Sequence, residues 1–224
     1  MVVTSRPHGE EPRRPDRRRA ILEAATELFA ERGFAGVSVQ EIADRARTHK
    51  TTVLYHFETK EALHEAVLDE ALGRIADVMG EFMAGEFTRE RLAYLLDQIQ
   101  AFFAEHLPLA RLLERELLDP SGSDAYLKRF VEPIYGPAVA GFERAIAAGR
   151  VRPIDPALFV HDAHVQLIGY FCHRPLLERL KPGVDPYSIE ALIARRDYLV
   201  EQTFSILAPV VAAGGVASRA GGRP

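Results

Sequence analysis

Residues 38–60 read SVQEIADRARTHKTTVLYHFETK, and this stretch decides the fold. Ser38 with Glu41 three residues on is a capping box, which predicts a helix starting at Val39. Val39, Ile42, Ala43 and Ala46 follow the 3.6-residue period of a helix with one buried face. Arg47-Thr48-His49 breaks the pattern, and a second run follows from Lys50 to Phe57. On that run Val53 and Phe57 stand four apart and face inward. Lys50, Thr51, Thr52, Tyr55 and His56 are left for the outer face. These are hydrogen-bond donors suited to phosphate oxygens and base edges. Two short helices joined by a tight turn, the second presenting donors, form the helix-turn-helix plan.

Working outward, the chain reads as all-α. A helix over about Asp16–Arg32 carries the apolar stripe Ile21, Leu22, Ala25, Leu28 and Phe29 and stops at Gly33. Thr59 is an N-cap for a long helix from Lys60 to about Met83. Further helices are expected over Arg89–Glu105, Pro108–Leu118, Asp124–Gly149, Ala157–His173 and Tyr187–Val211. Asp155-Pro156 and Asp185-Pro186 are read as cap-plus-proline starts of the last two. The expected organisation is a basic, disordered arm (1–15), a three-helix helix-turn-helix domain (16–63), a helical effector-binding and dimerisation bundle (64–211) and a disordered tail (212–224).

The net charge of −4 argues against nucleic acid, but its distribution does not. Residues 1–60 carry eleven Lys/Arg against nine Asp/Glu, and residues 61–224 carry seventeen against twenty-three. The basic excess sits at the end that holds the helix-turn-helix, with Arg13, Arg14, Arg17, Arg18 and Arg19 foremost. No apolar run reaches the roughly 18–20 residues a membrane span needs, and residues 1–19 lack the apolar core of a secretory signal. A lone cysteine, Cys172, gives no internal disulfide and fits a reducing cytoplasm.

The ordered set of motifs from about Arg18 to Leu68 resembles the DNA-binding domain of the TetR family of bacterial transcriptional repressors. It runs from ILEAATELFAERGFAGVSVQEIA through the Leu54–Leu63 segment, LYHFETKEAL. Two departures stand out. Arg47 occupies the turn where the family has Gly, and Leu54 stands where it has Tyr. The resemblance implies a homodimer, a palindromic double-stranded DNA operator and a small-molecule effector. By position in the motif, Tyr55 and Lys60 would meet phosphates and Lys50, Thr51 and Thr52 would read bases. Thr48, His56, Ser38 and Gln40 complete the expected DNA contacts.

The last two long helices are apolar on more than one side, so they need cover on more than one side. A buried pair within one subunit and a homodimer interface both satisfy this. The family resemblance favours the interface, for which Phe159, Ile168, Leu199 and Phe204 are named. The expected effector cavity lies between helices of the bundle, with Phe102, His106, Tyr126, Phe130 and His164 as lining and a hydrophobic or aromatic effector. His161, His164, Cys172 and His173 are metal-ligand residue types without metal-ligand spacing, so no metal is assigned. Glu114, Glu116 and Asp119 interleave with Arg111 and Arg115 at helical spacing and read as ion pairs on a solvated face. No nucleophile elbow, phosphate loop or dinucleotide fingerprint is present, so neither an enzyme nor a cofactor is expected. The alternative reading is a helical ligand-binding or interaction protein that has lost DNA binding.

Overall fold

Each helix of the N-terminal region starts or stops on a signal within a few residues of itself. Helix α1 (Arg17–Arg32) buries Ile21, Leu22, Ala24, Ala25, Leu28 and Phe29. It ends at Gly33, whose φ of 73° suits a residue without Cβ and whose N–H returns to Phe29 O at 2.8 Å. Gly36 is needed for space, because a Cβ there would lie 2.6 Å from Arg32 O. Helix α2 (Val39–Arg45) begins with the capping box complete in both directions. Helix α3 (Lys50–Phe57) turns in Val53 and Phe57, and α4 (Lys60–Met83) starts with Thr59 Oγ1 accepting from Ala62 N–H at 3.0 Å.

The computed structural model describes residues 17–118 and 126–208, apart from the side chains at 129 and 130. The expected arm (1–15) and tail (212–224) lie outside the described residues. The chain divides into two compact units, Met1–Ala71 and Leu72–Pro224, and the division falls within α4. Leu63, Val67 and Leu68 of α4 join the buried residues of the first unit.

The second unit continues with α5 (Arg89–Glu105, capped by Thr88) and α6 (Leu107–Leu118). A π-helical turn (Leu127–Val131) then runs into α7 (Glu132–Ala147), where Glu132 N–H reaches back to Leu127 O. Pro137 lies inside α7 and gives it no N–H. Helix α8 (Pro156–Cys172) starts on Asp155 as expected, with the Asp155 carboxylate accepting from Leu158 N–H at 3.0 Å. Two expectations are corrected here. A short helix, α9 (Arg174–Leu180), fills part of the link between the last two long helices. Ser188, not Asp185-Pro186, caps α10 (Ile189–Leu207), while Asp185 accepts from Tyr187 N–H in the preceding turn.

Helix α10 is fastened to α5 by polar contacts along its length. Arg89 pairs with Glu201 and lies over the Phe204 ring, and Arg196 reaches Asp97 at 3.0 Å. Gln100, 1% exposed, donates to Leu192 O and accepts from Arg195 at 2.6 Å. Arg195 also donates to Gln166 O on α8 and sits 4.1 Å over the Tyr170 ring. Burial lowers its affinity for a proton to a pKa of about 10, still high enough to keep it charged near neutrality. Among the described residues there is no strand, and no helix is long and apolar enough to cross a membrane.

Candidate functional site

In the first unit, cross-helix ion pairs hold the helix-turn-helix in shape. Arg32 of α1 meets Glu41 of α2 at 2.7 Å, and Arg45 of α2 meets Glu27 of α1 at 2.6 Å. Hydrogen bonds from Ser38, followed by Arg32, hold the Glu41 carboxylate at a pKa of about 2. The turn contains Arg47 at φ 52°, the left-handed backbone that glycine adopts more cheaply. Helix α3 then presents Lys50, Thr51 and Tyr55 fully to solvent, with Thr52 and His56 half-covered. Tyr55 is 84% exposed, although an aromatic ring loses favourable contacts by standing in water.

The other expected DNA contacts are differently placed. Gln40 is exposed, and its amide donates to Asp44 at 2.8 Å. The Ser38 hydroxyl is committed to Glu41 within the capping box. Thr48 Oγ1 is buried with no hydrogen-bond partner. Lys60 differs most from its expected role. Its ammonium donates to Phe34 O and to Val37 O, both at 3.0 Å, and lies 4.1 Å over the Phe34 ring. Two of its three hydrogens tie the α1–α2 link to the start of α4, so its main task is structural.

The second unit holds a partly open cavity of about 310 Å³ among α4, α5, α7, α8 and α10. Ile75, Met79, Leu95, Phe103, Phe142 and Phe159 are typical of its wall, and no Lys or Arg lines it among the described residues. Its polar lining residues are Tyr135, Asp155, Asp162, His164, Gln166, Gln202 and Thr203, and two of them pair. Tyr135 Oη and His164 Nδ1 are 2.5 Å apart, and His164 Nε2 lies 3.3 Å from Glu114 Oε1. That second approach is close without being a well-aligned hydrogen bond, and neither atom has another partner. Burial, then the Glu114 charge, pushes the Tyr135 hydroxyl well above its ordinary pKa. The Cys172 thiol is raised to about 11 by burial and then Glu114.

Residues 21–67 match the family model for bacterial regulatory proteins of the tetR family. Residues 21–67 therefore form a domain of the TetR family. RutR of Escherichia coli, an HTH-type transcriptional regulator, is 32% identical over 151 residues. That match covers 62% of this chain and 66% of RutR, just under two thirds. AcnR of Corynebacterium diphtheriae, an HTH-type transcriptional repressor, is 26% identical over 178 residues, 79% of this chain and 87% of AcnR. The crystal structure of AibR with isovaleryl coenzyme A and operator DNA shares the fold, with a TM-score of 0.61 at 20% identity. It covers 84% of this chain and 97% of that one.

Within the second unit, the residues expected to line the cavity separate. His164 lines it. Phe102 does not, and its neighbour Phe103 does. Phe102 instead stacks on the exposed His106 at 4.8 Å, under Arg74. Tyr126 is 5% exposed and sits outside the cavity wall. The Phe130 side chain lies outside the described residues. Glu114, expected on a solvated face, turns toward His164 instead. The residues expected at a dimer interface are also redirected. Ile168 and Leu199 are buried within the single chain and line the cavity, as does the half-buried Phe159. Phe204 stacks on Phe87 at 5.0 Å. The exposed apolar residues of the same helices are Leu158 and Val165 on α8 and Ile189, Ile193 and Tyr198 on α10. Tyr135 and Glu114 were missed in the sequence, since nothing local marks residues that meet His164 only through folding.

Proposed function

We propose that this chain is a ligand-responsive transcriptional repressor that binds a palindromic operator as a homodimer and releases it when a small apolar molecule fills the second unit. The observation that carries the reading is the outer face of α3, where Lys50, Thr51 and an uncovered Tyr55 stand on a helix whose other face is core. Lys50, Thr51 and Thr52 are assigned to base edges, and Tyr55, His56 and Gln40 to the surrounding backbone and groove, while Thr48, its hydroxyl buried, is assigned to the turn. Ser38 acts through the helix start that it caps, and Lys60 through the link that it ties. The exposed apolar residues of α8 and α10 are assigned to self-association. A two-fold pair presents two α3 helices to two half-sites. Such a regulator works in the cytoplasm, beside the chromosome.

The cavity supports the effector half of the reading. Its volume stands at the low end of the roughly 300–1,000 Å³ common for drug-sized ligands. Its wall includes Ile75, Met79 and Phe82 of α4, the helix that begins at the Lys60 tie. A ligand that favours one setting of α4 over another would shift operator affinity by that difference. AibR was crystallised with both a coenzyme A ester and DNA, and the same pairing of ligand and operator is assigned here, with an effector small enough for this cavity. Fluorescence anisotropy on duplexes from the chain's own promoter region tests the proposal. Binding should weaken steeply as salt rises and fall again on adding hydrophobic compounds. Binding absent at all salt concentrations would favour the alternative, a helical ligand-binding protein without DNA.

A further inference from the structure

We propose that the cavity selects an apolar ligand bearing one neutral hydroxyl, an alcohol or a phenol, whose hydrogen is accepted by Tyr135 Oη, and that it discriminates against carboxylates. This inference rests on the effector reading above and adds the chemistry of the ligand's head group.

With Glu114 Oε1 3.3 Å from His164 Nε2, a hydrogen on that nitrogen avoids setting its lone pair against the carboxylate charge. Nδ1 then has a lone pair, and the Tyr135 hydroxyl 2.5 Å away donates to it. Tyr135 has one hydrogen, and His164 takes it. What Tyr135 has left is acceptor capacity, so a ligand group meeting Tyr135 must bring its own hydrogen. An ether or ketone cannot supply one.

Charge narrows the choice further. Among the described residues the wall has no Lys or Arg, and it includes Asp155 and Asp162, with Glu114 behind His164 and with Gln166, Gln202 and Thr203 as its neutral polar groups. The Asp155 carboxylate caps α8 and that of Asp162 meets His161 at 3.2 Å. A ligand carboxylate beside Tyr135 would meet no Lys or Arg among the described residues and would face these acids. A neutral hydroxyl meets none of those costs, and the apolar remainder of the wall suits a hydrocarbon body.

The test uses the full-length protein and isothermal titration calorimetry at pH 7.5. Two probe sets share a skeleton within each set: naphthalene, 2-naphthol, 2-methoxynaphthalene and 2-naphthoate; decane, 1-decanol, decyl methyl ether and decanoate. In at least one set, the hydroxyl compound should bind about tenfold more tightly than its methyl ether, the scale of one buried hydrogen bond, and the carboxylate more weakly still. Tyr135→Phe should erase the preference for hydroxyl over ether and leave naphthalene or decane affinity within twofold. His164→Gln, which replaces the acceptor that fixes the Tyr135 hydrogen, should reduce the same ratio and serves if Tyr135→Phe does not fold. Equal binding of hydroxyl, ether and hydrocarbon overturns this inference alone and leaves the apolar cavity standing. So does tightest binding by the carboxylate, or a preference that survives both substitutions. Binding by none of the eight compounds overturns the inference and the apolar-effector reading together.

Discussion

The two units of this chain treat apolar residues in opposite ways. The first closes Ile21, Leu28, Phe29, Ile42, Val53 and Leu63 on one another, each no more than 4% exposed. Its chemistry stands outside, on α3. The second leaves a partly open cavity of about 310 Å³ between its helices and apolar side chains such as Ile189, Ile193 and Tyr198 uncovered. Its chemistry is inside, and its outside asks for cover. A core packed to organic-crystal density suits a part that must hold donors in fixed register. A void forfeits contacts along its wall, a cost that makes sense where something else is meant to supply them.

The largest effect that would sharpen this contrast comes from placing one charge at two positions of α10. Leu199→Glu buries an unpaired carboxylate in the cavity wall and should cost several kcal/mol, enough to lose the cooperative melting transition. Ile193→Glu lies on the 44%-exposed side of the same helix. It should leave the helical circular dichroism intact while light scattering shifts from dimer to monomer. A dimer that persists in Ile193→Glu would move self-association off this face.

A smaller effect separates two lysines of the first unit. Lys60→Met leaves the Phe34 and Val37 carbonyls without their donor and should lower stability by about 1–2 kcal/mol in a urea titration. The salt slope of operator binding should stay nearly unchanged. Lys50→Ala should do the reverse, keeping stability and relaxing sequence preference at one base position. If Lys60→Met flattens the slope instead, its ammonium leaves the carbonyls for phosphate when DNA binds.

Arg47→Gly should act more weakly. Relief of the left-handed backbone is worth about 1–2 kcal/mol, and the added freedom of the unfolded chain takes back about 0.4–1 kcal/mol. A rise in melting temperature of a few degrees is expected, with operator affinity unchanged or higher. A fall would show that the Arg47 side chain holds the turn.

The finest test follows Glu41 by NMR. Its pKa is depressed from 4.5 to about 2 by Ser38 and Arg32. The capping box therefore adds stability fully above about pH 4.5 and loses it as pH falls toward 2. Ser38→Ala should move the midpoint upward, because Ser38 is the largest cause.

The first unit was legible in the sequence because its signals are local. Ser38 and Glu41 are three residues apart, Gly33 follows the stripe it ends, and Thr59 stands one residue before the helix it caps. Lys60 was misplaced because its acceptors lie 26 and 23 residues upstream. In the second unit, helices were found but their rotation was not. Phe102 and Phe103 are adjacent, and one residue turns a helix by about 100°, enough to put one ring against the cavity and the other against His106. Composition likewise showed that α8 and α10 are apolar on two sides, but not which side the chain itself would use. Ile168 and Leu199 went inward, and Val165 and Ile193 stayed out. Glu114 looked like a member of a charged surface because its own helix interleaves it with arginines, while His164 sits fifty residues on.

The joint between α3 and α4 has a consequence of its own. Glu58, at φ 55° and ψ −52°, is the pivot of a γ-turn, with Thr59 N–H bonded to Phe57 O at 2.5 Å. Only Glu58 and Thr59 separate the two helices. Such a hinge has no slack, so the rotational phase between the helices is set by backbone geometry and not by side-chain packing. Side chains around it can be exchanged freely over time without the head losing its aim. One inserted residue, however harmless chemically, would turn the reading face by about 100° and leave a folded protein pointing at the wrong edge of the groove.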